Sequence, residues 1–166
     1  MKEKEGLNVE VMFSQACAFV DCASFTESEK YKIEHRTYSH GYAGISLSAL
    51  ACEIFIKCLI IIKGGEYNKE HKLDQLWAVY KELDGTNAQN VEDHLKWWFK
   101  SSDPDMFDKM IEDASNAFVQ WRYVFDYGSE DGIRVNPMFL MGFRRVLRNL
   151  CCYLIYGKDW KEYIKG

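Results

Sequence analysis

At 166 residues the chain fits one domain, here taken as 1–166, and its 48% apolar and 15% aromatic content supports a packed core, excluding an unfolded tail or linker. A formal net charge of −4 argues against a general nucleic-acid binder. Only two prolines favour long helices over a turn-rich β fold. The charge is uneven: residues 134–166 carry +5 and residues 1–133 carry −9. The simpler reading is an acidic helix lying beside a basic one, and the sharper one is a patch for phosphates.

The six cysteines (17, 22, 52, 58, 151 and 152) form no CxxC pair and lie in apolar helical runs. Thiols so placed act as small hydrophobes, which suits a reducing cytoplasm better than a disulfide framework. The first residues, Met1 to Gly6, are charged and lead into a stretch with Glu10 and Asp21, so no secretory signal is expected. Ala43–Ile62 reaches bilayer-spanning length, but Glu53 and Lys57 near its middle predict a buried core helix and no membrane association.

In chain order, Val9, Met12, Phe13, Ala16, Phe19, Val20 and Ala23 recur at helical spacing and predict a first helix over about 8–26. Polar residues 26–40 read as a connection. The second helix is predicted over 40–63, stopping at Gly64-Gly65, with apolar residues all round its second half. A shorter helix over 72–83 carries Leu73, Leu76, Trp77 and Tyr80 on one face. Residues 84–87 read as a turn and 88–100 as a further helix. Ser102-Asp103-Pro104 and Asn136-Pro137 both look like an N-cap followed by proline at the first helical position, predicting helices over 104–127 and 136–156. The expected fold is all-α: an up-and-down bundle of four main helices with one or two short additional ones.

Glu53 and Lys57 are four residues apart in the favourable order for an ion pair, and their apolar surroundings predict partial desolvation. A buried carboxylate needs a partner. Arg122, flanked by large apolar residues with Asp126 one turn later, is the expected one, giving a network of Glu53, Lys57, Arg122 and Asp126. Its alternative role is the polar floor of a ligand cleft. His71, ahead of the third helix, is expected to cap or to hydrogen-bond a neighbour, with general acid–base chemistry as the alternative. Arg144, Arg145 and Arg148 are expected to form a solvated basic face, with phosphate contact as the alternative. No aromatic interleaving is visible along that helix. His35, His40 and His94 lack ligand spacing, so no metal site is expected. Nor is any cofactor, since the phosphate-loop and nucleophile-elbow patterns are missing.

Three strings in this order, Leu50-Ala51-Cys52-Glu53-Ile54-Phe55-Ile56-Lys57, His71 to Leu76, and Phe118 to Tyr123 around Trp121 and Arg122, resemble HEPN-type helical domains over about residues 10–156. The resemblance implies a dimeric bundle of four main helices. In some members it implies a metal-independent ribonuclease of toxin–antitoxin or phage-defence systems, marked by an arginine followed after four to six residues by histidine. Counting from Arg122, those slots hold Tyr127, Gly128 and Ser129, so the ribonuclease motif is lacking.

The functional expectation is therefore a cytoplasmic, homodimeric binding or regulatory module, probing a protein partner or RNA, without nuclease activity. The first alternative is a ribonuclease using Arg122 and His71, with Asp126 or Tyr127 as further candidate catalytic groups. The second is a small-molecule or nucleotide-binding bundle.

Overall fold

Several helix ends are fixed by capping side chains or by glycine. The structure, a computed structural model, describes residues 8–27, 39–66, 69–116 and 135–166. Among these residues there are seven helices and no strand: α1 (Val9–Glu27), α2 (Ser39–Ile62), α3 (Leu73–Leu83), α4 (Gly85–Phe99), α5 (Met106–Ser115), α6 (Pro137–Tyr156) and α7 (Trp160–Tyr163). The all-α class expected from the sequence is the observed one.

Asn8 caps α1 by accepting from the amides of Glu10 and Val11. Helix α2 closes with Gly64 in the left-handed conformation, φ 80°, while the Gly65 amide reaches back to the Ile60 carbonyl. Asn136 caps α6 by accepting from Met138 and Phe139, with Pro137 at the first helical position. Two boundaries differ from the sequence reading. The segment 84–87 is the first turn of α4, because the Asp84 carboxylate accepts from the Asn87 amide and starts the helix three residues early. Pro104 lies in a turn ahead of α5, where Asp103 accepts from the Asp105 amide and holds the chain back from helix until Met106. The C-terminal part of the helix expected over 104–127 falls outside the described residues. Helix α7 was hidden by its shortness; Asp159 and Glu162 form a capping box around it.

Helix α2 occupies the centre. Its residues Ala51, Cys52, Phe55, Ile56, Cys58, Leu59 and Ile60 are all buried. Helix α1 runs antiparallel to it, since Val9 lies beside Cys58 and Thr26 beside Gly44. It is antiparallel to α6 as well, with Glu27 beside Arg144 and Phe13 beside Tyr156. Helices α2 and α6 therefore run the same way, as the second and fourth members of an up-and-down bundle do. Helix α3 packs on α2, α4 and α5. There Trp77, Phe107, Phe139 and Phe143 form an aromatic cluster with centroids 5.4–5.7 Å apart. Ala43–Ile62 is long and apolar enough to cross a bilayer, yet 67% of its most apolar window is buried inside the fold.

Five of the six cysteines are buried and one, Cys22, is exposed. Burial pushes the Cys17 thiol up to about 12 and the Cys52 thiol upward too. Iodoacetamide on the native protein at pH 8 should thus add a single label, at Cys22; multiple labelling before unfolding would contradict the packing described. A second prediction comes from Gly142 on α6, where an added Cβ would run into the Trp98 indole of α4. Gly142→Ala should force the ring out and cost about 1–3 kcal/mol, read as a lower urea midpoint.

Candidate functional site

Helix α6 places Arg144, Arg145 and Arg148 within about one turn, and the structure gives them three different environments. Arg144 is buried. Its NH1 and NH2 donate to the two carboxylate oxygens of Glu27 at 2.9 and 2.8 Å, a bidentate fork. NH2 also donates to Ser24 Oγ at 3.2 Å, and NH1 to Ser48 Oγ. Each serine spends its own proton on a backbone carbonyl, Ser24 on Val20 and Ser48 on Gly44, so its oxygen is free to accept. Both terminal nitrogens of the guanidinium are engaged by α1 and α2. It is neither solvated nor available to a phosphate, which corrects the expectation for this residue.

Arg145 is exposed, as expected. Arg148 is half-way between: its guanidinium carbon lies 4.2 Å from the Trp160 ring centroid, and NH1 is 4.0 Å from Asp21. Burial holds it below the ordinary arginine value, against the opposing pull of Cys17 and Asp21. Its Nε is buried and makes no hydrogen bond among the described residues.

These residues form one wall of a groove of about 1090 Å³ between α1, α4, α6 and α7. The opposite wall is α4, which contributes His94, Trp97 and Trp98, and α7 closes one end with Trp160 and Lys161. Trp97 is 75% exposed and Tyr153, on α6, is 59% exposed, so two large rings face water. A smaller hollow of about 400 Å³ also adjoins Trp97 and Trp98 and is bounded by Lys96, Lys100 and Ser101. Asn87, Asn90 and Asn149 add amides that both donate and accept. Rings and cations both line this groove. Their pairing is not apparent along α6 because Trp97, Trp98 and Trp160 come from α4 and α7, and Tyr153 is the one exposed ring that α6 itself adds to the groove.

A second polar site lies in the core. Glu53 and Lys57 are both buried, and Lys57 Nζ sits 2.9 Å from Glu53 Oε1. The same oxygen is 2.9 Å from His71 Nδ1, whose side chain is 72% exposed. His71 was not foreseen as the carboxylate's partner, since eighteen residues separate them and no spacing rule links them. Arg122, Asp126 and Tyr127 lie outside the described residues, so the part of the expected network that involves them does too. No group of three or more His, Cys, Asp or Glu side chains among the described residues is placed to hold a metal ion.

Compared with protein-family models, curated proteins and solved structures, the chain matches none.

The Arg144 fork yields a stability prediction. Glu27→Ala strands a buried guanidinium and should cost about 3 kcal/mol, at the low end for a broken buried pair because Glu27 keeps about a third of its surface in water. Adding Arg144→Met should recover part of that loss in urea unfolding; strictly additive losses would show that the two groups are not coupled.

Proposed function

We propose that this chain is a helical binding module whose groove between α4 and α6 takes single-stranded nucleic acid, RNA first among them. The observation that carries the reading is the exposed Trp97 ring shared by two hollows, one lined also by Arg145, Arg148 and Lys161 and the other by Lys96 and Lys100. Single strands are held by stacking their bases on aromatic rings and pairing their phosphates with nearby cations, without needing a strongly basic protein overall. The net charge of −4 then limits binding to this face and disfavours wrapping of duplex. The asparagines at the groove can bond to base edges, which duplex would hide.

The resemblance to HEPN-type domains supports the same ligand class. The homodimer and the defence or toxin–antitoxin setting belong to this reading and rest on that resemblance alone. The function is binding: exposed rings, amides and cations of the groove are groups suited to holding a strand.

Titration of intrinsic tryptophan fluorescence with single-stranded RNA and DNA oligonucleotides tests the proposal. Quenching should weaken with salt at a logarithmic slope of about −2, as for some three phosphate contacts on a single strand. Trp97→Ala should loosen binding about tenfold, within the range for loss of one stacked base. No response up to about 100 µM oligonucleotide, the weak limit of non-specific binding, would sink the reading.

A further inference from the structure

His71 combines an accessible ring with a buried anchor, and the groove on α6 makes no use of it. Two contacts fix its position. The Glu70 carboxylate accepts from the amides of His71 and Lys72 at 2.8 and 2.9 Å, pinning the backbone ahead of α3. The ring is then held by Nδ1, 2.9 Å from Glu53 Oε1, with that carboxylate only 8% exposed.

A carboxylate oxygen only accepts, so the imidazole proton resides on Nδ1 and the lone pair on Nε2. Lys57 on the same oxygen balances the buried charge, which lets Glu53 stay inside the fold and face the ring. When Nε2 attacks an electrophile the ring becomes cationic, and Glu53 is already in place to stabilise it. This is the arrangement of a nucleophilic histidine. With its side chain 72% exposed, the ring encloses no substrate of its own; it suits a group delivered from outside and then held. A phosphoryl group on nitrogen is one that an imidazole retains in neutral water. Lys69 and Lys72, both exposed, flank the ring in sequence and supply charge for phosphoryl oxygens.

We propose that His71 is a phosphoryl-accepting residue, loaded at Nε2 by donors with a labile phosphorus–nitrogen or acyl-phosphate bond. With phosphoramidate in its zwitterionic form, whose nitrogen already carries three protons, the Nε2 lone pair forms the new bond to phosphorus, the phosphorus–nitrogen bond breaks, and ammonia leaves with its electron pair. The Nδ1 proton stays in its hydrogen bond to Glu53 throughout.

The full chain incubated with phosphoramidate should gain an acid-labile, alkali-stable phosphate, located by peptide mass spectrometry at His71. His94, exposed on α4, serves as the internal reference. His71 should load about tenfold faster than His94, the lower end of what a carboxylate partner contributes to a histidine. Substituting Glu53→Gln together with Lys57→Met removes both buried charges without stranding either, and loading at His71 should then fall to the rate of His94. Equal rates at the two histidines in the unaltered protein would overturn the proposal, as would an undiminished rate in a folded double variant.

Discussion

The guanidinium of Arg144 is the point at which three helices are made to agree. It reaches Glu27 and Ser24 on α1 and Ser48 on α2 from its seat on α6, so axial sliding of any one helix would break hydrogen bonds to the others. Apolar packing alone tolerates such slippage, because one leucine-sized neighbour substitutes for another. A planar fork on a carboxylate does not. Buried ion pairs add little net stability, as desolvation offsets the attraction. The fork's contribution is to register, and the register decides where the outward faces of α6 lie. Arg145, beside the inward Arg144, is thereby left exposed at the groove, while Arg148, one turn further along the same face, lines it from a half-buried position.

Much of the fold was legible from residue order, since helix formation depends on neighbours within a turn. The apolar spacing of α1 and α3, the glycine stop of α2 and the Asn136-Pro137 start of α6 are local signals, and each stands where it was read. The early start of α4 was missed because Asp84 is itself the cap that converts an apparent turn into helix. Pro104 misled for the opposite reason. A proline after a polar residue suits a helix start, but Asp103 closed a tight turn of its own instead.

The site was far less legible, because it is made by helices distant in sequence. An inter-helix bond between an acid and an arginine was expected at Glu53, with Arg122 as donor. Arg122 lies outside the described residues, and a bond of this kind that was not expected joins Glu27 to Arg144, 117 residues apart. Nothing in the spacing of either residue marks the pair. Glu27 reads as part of a polar connection, and Arg144 reads as one of three similar arginines. Likewise the ring over Arg148 belongs to α7 and the tryptophans that line the groove with it belong to α4, so the residue order of α6 does not show them.

The aromatic turn at α7 has two neighbours at once. Tyr163 stacks on Tyr156, with centroids 4.6 Å apart, and both approach Phe13 of the core. Trp160 also borders Phe13, at 6.2 Å, while offering its face to Arg148 at the groove. Substitutions that retune the groove end at Trp160 therefore also change how the interior is sealed. This region is constrained from both directions, and a lineage drifting toward a different ligand would find α4 the easier wall to remodel.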